Sequence, residues 1–249
     1  MKVSYQLHKK LQNIKPYEVI QDSCGIRLDA NESFINPGAV LQEEIWNRIK
    51  NIELNRYPDD ACTDLRKAFA GYYRVLPEQV VAGNGSDEII ALLIGSFLKQ
   101  GQKMMICSPE FSMYQVFAEN YEREFVVFQK DHNLEVETDI LIESIRQNEV
   151  DAIFFSNPAS PGANTMSRNE IIRILENTSA LVVVDEAYMD FSEGSVMDLP
   201  QEYEHLIVLR TCSKALGCAA IRLGFAVASE RIASILNAIR PPYNINSIT

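Results

Sequence analysis

The chain has 249 residues, enough for one large domain with a sizeable core, and its 47% hydrophobic and 23% charged content excludes disordered, collagen-like and coiled-coil classes. Lysine and arginine total 23 against 34 acidic residues, and the resulting net charge of −11 repels phosphate backbones and anionic lipids, so no nucleic-acid or membrane partner is expected. Cys24, Cys62, Cys107, Cys212 and Cys218 are scattered and form no CxxC pair, which argues against a disulfide framework or a zinc site and fits a reducing cytoplasm.

Residues 1 to about 48 are polar, Asn-rich and Pro-containing, and read as an arm and a helix outside the main sheet. The first 20 residues contain no apolar stretch of export type, so no leader is expected. From 49 to 249 the chain reads as the main domain. Short apolar runs follow one another at Val80 to Ala82, Lys103 to Cys107, Phe125 to Phe128, Ala152 to Phe155, Leu181 to Val184, Leu206 to Leu209 and Gly224 to Ala228. Runs this short and this uniformly apolar predict strands buried on both faces. Helix-period stretches lie between most of them, at Glu88 to Leu98, Ser112 to Asn120, Ile140 to Gln147 and Arg168 to Glu176. The alternation predicts an α/β domain built on a mostly parallel seven-stranded sheet with flanking helices. His8, His132 and His205 fall in no ligand or triad spacing.

Open parallel sheets collect ligands at the carboxyl ends of their strands, so the residues after each run carry the most information. Gly83-Asn84-Gly85-Ser86-Asp87-Glu88 opens a helix and can form an anion site from free N–H groups and the helix dipole, or can be a plain N-cap. Asp185, which closes an apolar run, can hold a protonated ring nitrogen or, the commoner role for such an aspartate taken alone, can cap a structural turn. Lys214, shortly after another run and eight residues before Arg222, fits a desolvated nucleophilic amine or a lysine that reaches out to water. Together the three describe pyridoxal phosphate, which needs a lysine amine, a carboxylate for its pyridinium nitrogen and an anion pocket with an arginine.

The stretches Leu28-Asp29-Ala30-Asn31-Glu32, Arg56-Tyr57-Pro58-Asp59, Gly83 to Glu88, Ser108-Pro109-Glu110-Phe111-Ser112-Met113-Tyr114, Val184-Asp185-Glu186-Ala187-Tyr188 and Ser213-Lys214 through Arg222-Leu223-Gly224 resemble, in collinear order, histidinol-phosphate aminotransferases of the fold type I superfamily. The resemblance implies the large domain of a fold type I pyridoxal-phosphate-dependent transferase. It implies that Lys214 is the Schiff-base lysine and proton shuttle, that Asp185 pairs the pyridine N–H, and that Tyr188 and Asn157 bond the phenolate oxygen. Phe111 matches the aromatic stacked on the ring. Ser86, Asp87, Ser213 and Arg222 match the phosphate ligands, and Tyr57 matches a tyrosine that reaches the phosphate from the neighbouring subunit of a homodimer.

Two departures accompany it. Asn157-Pro158-Ala159-Ser160-Pro161-Gly162-Ala163 stands where the family usually has Asn-Pro-Asn-Asn-Pro-Thr-Gly. The family also continues, beyond a segment like Pro242 to Ser247, into a C-terminal small domain whose arginine grips the substrate carboxyl; that domain is expected to be absent here, and Arg27 and Arg56 are the substitutes to consider. The first reading is transfer of an amino group between L-glutamate and imidazole acetol phosphate/L-histidinol phosphate, in histidine biosynthesis. The alternatives are a threonine-phosphate decarboxylase, an aromatic aminotransferase, or a module that binds the cofactor without efficient turnover.

Overall fold

A computed structural model of the chain describes residues 5–7 and 28–249; His8, Cys24, Arg27 and most of the predicted arm lie outside the described residues. Ser33–Thr249 form one compact unit. Its sheet has seven strands: β1 (Val80–Asn84), β2 (Lys103–Ser108), β3 (Glu124–Gln129), β4 (Ala152–Ser156), β5 (Leu181–Asp185), β6 (Leu206–Thr211) and β7 (Leu223–Val227). Each coincides with a predicted run. Their order across the sheet is β1-β7-β6-β5-β4-β2-β3. The β3-β2-β4-β5-β6 pairings are parallel, whereas β7 runs antiparallel to both β6 and β1.

Successive side chains leave a strand on opposite faces, and here both faces are covered. Val80 and Ala82, Ile153 and Phe155, and Val182 and Val184 enter one hydrophobic cluster, while Val81, Phe154 and Val183 enter the other. The first cluster is completed by α3 (Thr63–Tyr73), α6 (Thr138–Gln147) and α7 (Arg168–Asn177) through Phe69, Leu141, Ile145, Ile171 and Ile174. Helices α4 (Ser86–Leu92), α5 (Met113–Asn120) and α8 (Glu230–Ile239) close the second through Ile89, Ile90, Tyr114, Ala118, Ala233 and Leu236. The i, i+3, i+4 spacing of these residues makes one apolar stripe per helix. Two helices nearer the N-terminus, α1 (Pro37–Val40) and α2 (Gln42–Ile49), bury no residue.

Local chemistry sets several helix starts. Ser167 accepts a hydrogen bond from the Glu170 N–H at 3.3 Å, and the Glu170 carboxylate accepts from the Ser167 N–H at 2.7 Å, a reciprocal cap that begins α7. Ser229 does the same for α8 by accepting from the Ile232 N–H. Helices α3 and α8 are absent from the sequence expectations. Their sheet-facing residues, Leu65, Phe69 and Tyr73 in α3 and Ile232, Ala233 and Leu236 in α8, nonetheless fall at helical spacing.

Candidate active site

The antiparallel β7 decides where the site forms. Because it runs against its neighbours, its first residues lie beside the carboxyl ends of β1 and β6: Gly224 faces both Gly83 and Thr211, and Leu223 faces Asn84. Arg222, immediately before β7, therefore arrives at the edge where β1, β4, β5 and β6 end. A residue far along the chain joins Gly85 and Ser86 through topology alone.

That junction is tight. A Cβ at Gly224 would stand 2.3 Å from the Ser86 backbone nitrogen and 2.6 Å from the Gly85 carbonyl carbon. Gly85 has φ +79°, and a Cβ there would meet the Arg222 guanidinium at 2.6 Å. Glycine is required at 85 by its conformation, while the guanidinium tip facing it can shift. The result is a cradle of backbone N–H groups at the start of α4, flanked by Arg222, whose Nη2 donates to Asp87 Oδ2 at 3.0 Å. The Asp87 carboxylate holds the arginine, which leaves the backbone N–H as Asp87's own means of meeting an anion. Ser213 sits beyond β6, its hydroxyl accepting none of the cradle's bonds but receiving Thr211 Oγ1 at 3.0 Å.

Asp185 ends β5 and is 4% exposed. Its Oδ1 accepts from the Ala187 N–H at 3.0 Å and its Oδ2 from the Tyr114 hydroxyl at 2.9 Å. Burial raises its pKa to about 6, the Tyr114 and Ala187 hydrogen bonds opposing that rise. The two neighbouring buried carboxylates differ. Glu186 meets Arg210 Nη2 at 3.0 Å, and Glu110 meets Lys130 Nζ at 3.3 Å. Among the described residues Asp185 has no cation.

Lys214 lies three residues past the end of β6 and is partly exposed, further from the strand than a lysine desolvated by the sheet would be. Its Nζ stands 5.8 Å from the centre of the Tyr188 ring. The turn that carries it closes with the Gly217 N–H donating to the Lys214 carbonyl at 3.0 Å, and Gly217 packs against the Ile35 carbonyl. Phe111 is partly buried and meets Tyr114 edge-on, ring centres 5.6 Å apart. Asn157 is 1% exposed, and its side chain is engaged with the backbone of Met166, accepting from its N–H at 2.8 Å and donating to its carbonyl at 3.1 Å. One side-chain N–H of Asn157 remains for another acceptor.

Tyr57 stands apart from this group. It is 80% exposed and stacks on Tyr243 at 4.5 Å, beside a surface cavity of about 620 Å³ that Arg56 and Asn246 also line. His132 is exposed, and His205 lies at the start of β6, the opposite edge of the sheet, with Nε2 3.2 Å from the Leu175 carbonyl.

A family model described as aminotransferase class I and II matches residues 25–249. The chain belongs to that family. It is 39% identical to a histidinol-phosphate aminotransferase of Clostridium kluyveri over 241 residues, 97% of this chain and 69% of the relative. The crystal structure of the histidinol-phosphate aminotransferase from Clostridium acetobutylicum superposes with a TM-score of 0.77 at 27% identity, covering 88% of this chain and 66% of that one. The same enzyme from Sinorhizobium meliloti, in complex with pyridoxal-5'-phosphate, gives a TM-score of 0.88 over 99% of this chain and 69% of that one; at 18% identity it shows the shared fold. The class I and II aminotransferase chain thus has the seven-stranded sheet of fold type I, as expected.

Sequence reasoning missed three residues of this edge. Tyr114 and Glu186 lie inside motifs given above but carry no role there, and Arg210 directly follows the Leu206 to Leu209 run without one. None has a local signature, because each is defined by a partner distant in the chain.

Proposed function

We propose that this chain is a pyridoxal-phosphate-dependent aminotransferase acting between L-glutamate and imidazole acetol phosphate/L-histidinol phosphate. One observation carries the cofactor assignment: a fully buried carboxylate, Asp185, has neutral donors and, among the described residues, no cation, at the same strand edge as a lysine and an anion cradle. A buried charge without a partner is costly, and a protonated ring nitrogen supplies the missing charge. The close backbone approach at Gly224 also fits a phosphate, since a Cβ there would meet the Ser86 nitrogen and close the cradle. The relatives favour the histidinol-phosphate reading over decarboxylase and aromatic-substrate alternatives.

When bound, pyridoxal phosphate supplies an electron sink for the bonding pair released at the substrate carbon. The chain's own groups do the rest. Lys214 would offer the amine that holds the cofactor and the base that moves a proton at Nζ. Asp185 holds the ring nitrogen's proton. Ser86, the Asp87 N–H, Ser213 and Arg222 grip the phosphate. Tyr188 and the remaining Asn157 N–H address the phenolate oxygen, and Phe111 covers a ring face. The exposure of Tyr57 supports a homodimer in which it reaches the neighbouring subunit's phosphate. Among the described residues no helix is long and apolar enough to cross a membrane, and a cytoplasmic setting accords with this. The domain division follows the same reading, with 49–249 as the cofactor-binding large domain and 1–48 as arm and helix.

The test is a half-reaction. The chain loaded with pyridoxal phosphate should show a visible absorption band that L-glutamate or L-histidinol phosphate discharges, with the cofactor recovered in its amine form. A band that neither amine alters would exclude the aminotransferase reading.

A further inference from the structure

The Tyr114 phenol is 0% exposed and comes from α5, the helix that follows the Phe111 platform. Its ring is wedged edge-on to Phe111 at 5.6 Å and tilted against Phe154 at 5.8 Å, so the hydroxyl has little freedom to choose another partner. It donates to Asp185 Oδ2 across 71 residues of sequence. Burial and the adjacent Asp185 charge hold the phenol well above the usual tyrosine range, so it acts as a donor throughout the working pH range.

A buried tyrosine needs an acceptor, and a satisfied pair would explain the bond without any function. The disposition of donors argues for more. A carboxylate turns about its Cβ–Cγ bond, and two donors, one on each oxygen, fix its plane. Each oxygen accepts two hydrogen bonds, so the Tyr114 and Ala187 donors leave lone pairs open for a third partner. Glu110 and Glu186, buried nearby, instead have their charge met by lysine and arginine. Phe111 and Tyr114 are one helical turn apart, with the Tyr114 N–H donating to the Phe111 carbonyl at 3.3 Å, so the aromatic platform and the hydroxyl move as one piece.

We propose that Tyr114 is the positioning residue of Asp185, its hydroxyl orienting the carboxylate and tempering its basicity so that a cofactor ring nitrogen keeps its proton. This inference rests on the reading of Asp185 given above. A hydrogen bond to a carboxylate spreads its charge and makes it a poorer base. Without it the carboxylate draws the proton away from the ring, and the ring becomes less cationic. A less cationic ring raises the pKa of the imine nitrogen conjugated with it, which the visible band of the bound cofactor reports.

The experiment is a pH titration of that band in the full chain loaded with pyridoxal phosphate, for the unsubstituted protein, Tyr114→Phe, Asp185→Asn and the double variant. Tyr114→Phe keeps the ring contacts and removes one oxygen. Its midpoint should move up by about one pH unit, the scale of a charge-assisted hydrogen bond, and Asp185→Asn should move it in the same direction by more. Adding Tyr114→Phe to Asp185→Asn should change nothing further, since the hydroxyl acts through the carboxylate. An unmoved midpoint in Tyr114→Phe while Asp185→Asn shifts, or an equal shift in both backgrounds, would overturn the Tyr114 assignment alone. An Asp185→Asn variant that titrates like the unsubstituted chain would remove the reading of Asp185 and this inference with it. Should Tyr114→Phe fail to fold, the double variant decides: a folded double variant supports a hydroxyl that serves the carboxylate, and an unfolded one reduces Tyr114 to packing.

Discussion

Gly224 and Ser86 touch so closely that a methyl group on the first would lie 2.3 Å from the backbone nitrogen of the second. The neighbour is backbone and cannot rotate away. Gly224→Ala should push β7 and the start of α4 apart, costing about 1–3 kcal/mol of stability on the scale of overpacked sites and opening the cradle proposed for the phosphate. Urea unfolding and a pyridoxal phosphate titration check it. Unchanged stability together with unchanged affinity would mean that the junction absorbs the extra volume, whereas lost stability with unchanged affinity would mean that the cradle is not what binds the phosphate.

Borohydride reduction of the cofactor-loaded chain, followed by peptide mapping, should place the pyridoxyl label on Lys214. The expectation follows from the position of its Nζ near Tyr188, on the strand-end edge that also carries Asp185. A label on another lysine would move the site.

Asp185 predicts a pH dependence in the cofactor-free chain. Its folded value of about 6 lies above the ordinary 3.8, so the folded chain binds this proton more tightly than the unfolded one. The contribution to stability is complete below the unfolded value and disappears as pH rises through about 6. The whole effect is about 3 kcal/mol, of which roughly half falls between pH 5 and 7.5. Asp185→Asn does not titrate there. Denaturant unfolding of both proteins should show the asparagine variant gaining relative stability as pH rises; a constant difference would place the carboxyl in a more polar setting than its burial indicates.

Arg210 and Glu186 form a buried ion pair, their side chains 6% and 0% exposed, and Arg210 also bonds Asp190 at 2.9 Å. Arg210→Met would strand the Glu186 charge and should cost about 3–5 kcal/mol. The double variant Glu186→Gln, Arg210→Met should recover much of that loss, because no buried charge is left unmet. Additive losses in unfolding experiments would show that the two side chains contribute separately.

The strands and the candidate site positions were legible in the sequence because both depend on local order. A strand covered on both faces must be apolar throughout, so Leu181 to Val184 and Leu206 to Leu209 announce themselves, and the residues that follow such runs, Asp185 and Lys214 among them, are where an α/β sheet presents its ligands. The glycines around Ser86 are likewise local, since a sharp strand-to-helix turn demands them. What the sequence could not determine is which strand ends become neighbours. The reversed direction of β7, which delivers Arg222 to Gly85, has no mark in the residues of β7 itself; the connection from β6 holds only a short turn at Ala219–Ile221 and no crossover helix, so β7 returns antiparallel beside β6. The same holds for Tyr114 with Asp185, Arg210 with Glu186, and the Asn157 amide with Met166. Hydrogen bonds and ion pairs gain their strength where folding has excluded water, and only tertiary structure decides which groups are left there together.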